Sequence, residues 1–129
     1  MGKWSKIGSQ KKAKARLKLT LACILFSIGH VLIWFQFNAR YVWEWWAEKP
    51  LHAILLFGMP ATVTFYYAWD YAVQALNAVW GARLLTFGVS FLTFPLMTYI
   101  MLKESMFTPK TLSCIALAIC IVCIQAFWK

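Results

Sequence analysis

Four apolar runs divide the chain, each bounded by short polar segments. Residues 19–37 hold no formal charge, and their polar members include Thr20, Ser27, His30 and Gln36. As a helix this run would cover roughly 28 Å, close to a bilayer hydrocarbon core of about 30 Å. Residues 51–74 form a second run, with Pro60 in the middle and Asp70 near the end. Residues 79–102 form a third, with Arg83 near its start and Pro95 two-thirds along. Residues 111–127 form a fourth, which is uncharged and is followed by Trp128 and Lys129. The pattern predicts an all-α protein: a four-helix transmembrane bundle with spans at about 19–37, 51–74, 79–102 and 111–127. Pro60 and Pro95 each remove a backbone donor and are expected to kink their helices.

The connections differ in character. Residues 1–18 are polar and basic and read as a flexible or surface-lying tail. Met1-Gly2 resembles the start of an acylation signal, but Ser5 is followed by Lys6 where that signal wants Ser or Thr, so acylation is not expected. The first apolar run exceeds the 7–15 residues or so of a cleaved signal peptide and reads as a retained span. Residues 38–50 interleave Arg40, Glu44, Glu48 and Lys49 with Tyr41, Trp43, Trp45 and Trp46. Aromatic rings favour the headgroup level, so this loop is expected on the membrane surface. Residues 75–78 make a tight turn joining the second and third spans, and residues 103–109 a short polar loop.

Composition agrees with a bilayer environment. Of 129 residues, 62% are hydrophobic and 13% charged, more apolar surface than a soluble domain this small could bury. The net charge is +9, and seven of the 13 basic residues lie within residues 1–18: Lys3, Lys6, Lys11, Lys12, Lys14, Arg16 and Lys18. Basic residues beside a span favour the cytoplasmic side, which predicts cytoplasmic N- and C-termini in an inner or plasma membrane. Lys11, Lys12, Lys14, Arg16 and Lys18 are candidate contacts for anionic headgroups. Nucleic acid is not an expected partner, because aromatic residues do not alternate with this basic cluster beyond Trp4.

Polar groups inside spans are costly and mark candidate sites. His30 lies midway along the first span, either as a proton-responsive or ligand-contacting group or as a structural hydrogen-bond partner. Trp34 follows it one turn later on the same face. Asp70 and Arg83 stand at similar depth on either side of the 75–78 turn, as a structural ion pair or as a gate or anion contact at the cytoplasmic mouth. Glu104 reads as a solvated charge at the outer end of the third span. Cys23, Cys114, Cys120 and Cys123 all fall in apolar runs and read as small packing residues. Gly81, Gly88, Ala116 and Cys120 are candidates for close helix seams. Catalytic and metal-ligand motifs are absent from the chain, so neither an enzyme nor a cofactor is expected.

Residues 60–83 read Pro-Ala-Thr-Val-Thr-Phe-Tyr-Tyr-Ala-Trp-Asp-Tyr-Ala-Val-Gln-Ala-Leu-Asn-Ala-Val-Trp-Gly-Ala-Arg, and the third span ends with Phe94-Pro95-Leu96-Met97-Thr98 and Leu102-Lys103-Glu104. This order resembles the four-helix units of the drug/metabolite transporter superfamily, and its small multidrug resistance branch in particular. The resemblance covers roughly residues 19–127. It likens Ala78-Val79-Trp80 to the start of that branch's third helix, and Glu104 to the acidic residue closing it. It implies a transporter unit that pairs to enclose a small-molecule path, with His30, Trp34, Tyr66, Tyr67 and Trp69 as candidate lining. His30 stands where those exporters carry a membrane glutamate, which puts carboxylate-driven cation export in doubt. The fourth span uses Ala, Ser and Cys where theirs is glycine-rich, and the basic tail argues for a single orientation. The competing reading is a non-transporting accessory or structural subunit packed against a larger membrane complex. The expected partners are membrane lipids and another membrane chain, either a second copy or a different protein.

Overall fold

The computed structural model describes residues 3–128, with side chains described from residue 6. Met1-Gly2, weighed above as an acylation signal, and Lys129 lie outside the described residues. Four helices follow in order: α1 (Lys3–Val42), α2 (Pro50–Leu76), α3 (Val79–Leu102) and α4 (Pro109–Phe127). Each is long and apolar enough to cross a membrane, the architecture of a multi-pass membrane protein. Among the described residues there is no strand.

Helix α1 runs unbroken for 40 residues. At 1.5 Å per residue it is about 60 Å long, twice the hydrocarbon thickness. Of the two expected forms of the tail, flexible or surface-lying, the flexible one is corrected: from Lys3 onward it is helix, continuous with the first span. Lys, Ala, Arg, Gln and Leu are good helix formers, and extending an existing helix avoids the nucleation cost. The helix also persists beyond 37, so Asn38, Arg40 and Tyr41 are helical rather than loop residues.

The α1–α2 connection is anchored by aromatic rings. Phe35 stacks on Trp43 at 5.9 Å and on Phe57 at 5.6 Å, and Trp46 leans on Phe57 at 5.3 Å. Lys49 Nζ lies 3.7 Å from the Trp45 ring centre. A π-helical turn at Ile54–Gly58 precedes Pro60, accommodating the ring that would clash with a regular turn. Helix α2 ends on Asn77, whose positive φ of 52° suits asparagine better than a branched residue. The next residue, Ala78, is extended and precedes the first residue of α3, so the predicted tight turn is two residues wide. Thr108 caps α4, its hydroxyl accepting from Thr111 N–H at 3.2 Å, with Pro109 in the first turn.

Helix α1 packs against both α2 and α3, while α4 packs chiefly on α3. The core is built from Ala22 and Phe26 on α1, Ala68 and Ala72 on α2, and Ala82, Leu85 and Val89 on α3. These residues recur three or four apart, and the alanines let helix axes approach closely. Gly29 serves the same end: a Cβ there would meet the Phe65 ring at 2.9 Å. The expected seam residues separate. Gly81 and Gly88 are buried against α4, where Gly88 faces Val122, whereas Ala116 and Cys120 are exposed. The cysteine expectation is likewise corrected. Cys23 packs on the core, but Cys114, Cys120 and Cys123 lie on the exposed surface of α4. Only 6% of the apolar window of α4 is buried, against 22%, 17% and 22% for α1, α2 and α3, so α4 is the outlying helix.

Candidate functional site

His30 is turned inward, toward α3. Its Nε2 lies 3.1 Å from both the backbone carbonyl and the hydroxyl of Thr86. The Phe65 ring meets it edge-on at 4.9 Å, and the Phe94 ring at 6.3 Å. The imidazole is thus held by one polar partner and two aromatic rings, and its position is set by three helices at once.

A cavity of about 330 Å³ opens beside it. Phe26, His30, Phe65 and Trp69 form one wall, and Arg83, Thr86, Phe87 and Ser90 of α3 form the other. The α3 contribution is a stripe at spacings of three and four, which puts Arg83, Thr86, Phe87 and Ser90 on one face. Arg83 lies one turn inside the start of α3, so its cation sits at the end of the bundle that carries the α2–α3 turn. The guanidinium carbon lies 4.7 Å from the Phe87 ring centre.

The expected Asp70–Arg83 pair is not the contact that forms. Asp70 accepts instead from Gln74 Nε2 at 2.7 Å, and Gln74 Oε1 accepts from Lys18 Nζ at 2.6 Å. The two residues stand at matched depth on neighbouring helices, but each meets a different neighbour: Gln74 for Asp70 and Phe87 for Arg83. The carboxylate belongs to a Lys18–Gln74–Asp70 chain joining α1 to α2, and Arg83 faces the cavity.

A pair of cavities occupies the opposite end. Phe37, Asn38, Tyr41, Phe94, Thr98 and Glu104 line one of about 730 Å³. Phe91, Phe94, Pro95, Thr98 and Glu104 contribute to a neighbour of about 300 Å³. Phe94 lines both, and its ring also touches His30. The His30–Phe94 contact therefore stands between the Arg83 cavity and the Glu104 cavities. Glu104 is exposed, as expected of a helix-end charge, yet it supplies the carboxylate of both spaces.

The five candidate lining residues are not brought together. His30 and Trp69 share the Arg83 cavity. Trp34 is 1% exposed, and its Nε1 donates to Thr98 Oγ1 at 3.0 Å, so it supports the wall without facing the space. Tyr66 and Tyr67 are 73% and 54% exposed and lie on the outer face of α2, away from the Arg83 cavity. Lys11, Lys12, Lys14 and Arg16 are exposed on the extension of α1, and Lys18 is half-buried against Gln74.

Phe65, Thr86, Ser90 and Phe94 were not singled out by sequence. A signal was available for two of them: Arg83, Thr86, Ser90 and Thr93 form a polar stripe along an otherwise apolar span. Phe65 and Phe94 carried none, because an aromatic residue in a membrane span is commonplace until its neighbours are known. Comparison of the chain with family models, with curated proteins and with solved structures finds no match.

Proposed function

We propose that the chain is a membrane carrier unit that moves a small molecule between the Arg83 end and the Glu104 end of the bundle, working as an oligomer. The observation that carries this reading is the His30–Phe94 contact, with a cavity on either side of it. A closed aromatic contact between two open cavities is the arrangement a carrier needs in a resting state, since a continuous opening would leak. The resemblance to drug/metabolite transporter units supports it, and the outlying α4 offers a surface on which a second copy can complete the enclosure. The charge bias supports cytoplasmic termini, with the basic extension of α1 among anionic headgroups of an inner or plasma membrane.

The test is directional labelling. In a variant with the four native cysteines replaced by alanine, Ser90→Cys should react with a membrane-impermeant thiol reagent from the Arg83 side. Adding Phe94→Ala should make the same cysteine reactive from both sides. Failure to label from either side in both variants would reject the path.

A second reading is favoured by the sparse burial of α4: an accessory subunit docked on a larger membrane complex. Purification in mild detergent, followed by mass determination of the intact particle, separates the two. A homo-oligomer supports the carrier, whereas stoichiometric recovery in a hetero-complex supports the accessory subunit.

A further inference from the structure

We infer that the cavity beside His30 binds an amphiphilic anion: a single carboxylate or phosphodiester head on an apolar body, with the head on Arg83 and the body along Phe65 and Trp69. This names a substrate class for the carrier and rests on that reading only for movement across the membrane.

Charge is the first argument. A guanidinium is a permanent cation, and Arg83 presents one on an exposed side chain one turn inside the start of a membrane span, where an anionic partner is favoured. The carboxylate at matching depth, Asp70, is engaged by Gln74. What Arg83 has instead is the face of Phe87, a cation–π contact that eases desolvation and leaves the forked N–H donors available. A carboxylate or phosphate is the natural complement to that fork. None of the residues lining the cavity is acidic, so an organic cation would meet like charge with nothing to offset it.

Shape and polarity are the second. The remaining walls are largely aromatic, with the Thr86 and Ser90 hydroxyls about one and two turns beyond Arg83. A volume of about 330 Å³ lies at the lower end of small-molecule sites, which pair mostly apolar walls with a few convergent polar groups. One guanidinium suits a singly charged head rather than a polyphosphate, because His30 Nε2 is already held by Thr86. The same head can belong to a free amphiphile or to a bilayer lipid entering from the side.

The experiment uses the full chain in nanodiscs of zwitterionic lipid, with radiolabelled decanoate as probe and decyltrimethylammonium as competitor. Saturable decanoate binding is expected, with the cation competing at least tenfold less well than unlabelled decanoate. Arg83→Gln should weaken decanoate binding at least tenfold, and Arg83→Lys should retain part of it. Ser90→Leu, which fills the cavity while keeping the charge, should also weaken it. Equal competition by the cation, or unchanged affinity in both Arg83→Gln and Ser90→Leu, overturns the proposal. Native mass spectrometry after extraction from phosphatidylglycerol vesicles identifies the source. Phosphatidylglycerol retained by the native chain but not by Arg83→Gln points to a bilayer lipid; decanoate binding without retained lipid points to a free amphiphile. Decanoate binding without uptake into vesicles would leave this site standing and remove the carrier reading.

Discussion

Trp34 donates its indole N–H to the Thr98 hydroxyl across 3.0 Å, and Thr98 in turn donates to the Phe94 carbonyl at 2.8 Å. One buried tryptophan on α1 is thereby tied to the turn of α3 that carries both Pro95 and the Phe94 ring. Trp34→Phe and Thr98→Val should each destabilise by about 1 kcal/mol, and the double variant should reveal coupling of about 0.6 kcal/mol, with roughly 1.7 as an upper bound. Reversible unfolding in mixed micelles measures this. Strict additivity would mean that the bond does not hold the helices together.

The α3–α4 seam has a single tightest point. A Cβ at Gly88 would stand 2.5 Å from Val122 Cγ2 and 3.3 Å from the Ala118 carbonyl oxygen. Valine is stiff at χ1 and cannot easily turn away, so Gly88→Ala should push α4 outward at a cost of about 1–3 kcal/mol. Combining it with Val122→Ala should recover most of that loss. Cross-linking between cysteines placed across α3 and α4 should slow in the single variant and recover in the double.

At the turn end, the hydrogen-bond pattern makes a prediction opposite to the one that helix depth alone would make. Asp70→Asn and Arg83→Gln should add, with a smaller interaction energy than the Asp70–Gln74 cycle shows, as sites with no shared partner do. Asp70→Asn and Gln74→Leu should instead couple by about 0.2–0.5 kcal/mol, the scale of a side-chain pair one helical turn apart. A double-mutant cycle showing strong Asp70–Arg83 coupling would restore the ion pair.

Neutralising Lys11, Lys12, Lys14, Arg16 and Lys18 together should loosen the orientation of the chain, since basic residues close to a span end set its topology. Reporter fusions at the C-terminus would then show activity on both sides of the membrane. An unchanged single orientation would show that charge in this segment does not determine it.

How much of the site could be read from sequence varies residue by residue. His30 stood out as a polar group in an uncharged span, and it does sit against a cavity. Tyr66, Tyr67 and Trp69 looked alike as an aromatic cluster, yet only Trp69 lies with Phe65, Ala68 and Ala72 on the face turned inward. That face was visible as a run of residues three and four apart; which face it packed against was not. The Asp70–Arg83 expectation failed for a related reason. Sequence spacing gives depth along a helix, whereas pairing also depends on the rotation of each helix about its axis.

The amino-acid sequence by itself determined the four helices, because backbone groups in hydrocarbon must be satisfied within the segment and a long apolar run has no other solution. It also determined where charge accumulates, and hence the basic extension of α1. Tertiary structure alone decided that α4 stands apart, that Arg83 faces a cavity rather than Asp70, and that Phe94 meets His30 between two spaces. Hydrophobicity does not choose among helix faces in lipid, where tails and side chains are equally apolar. That choice is made by close packing at Ala22, Gly29, Ala68 and Gly88 and by a few hydrogen bonds such as Trp34–Thr98, whose partners are distant in sequence and meet only in the assembled bundle.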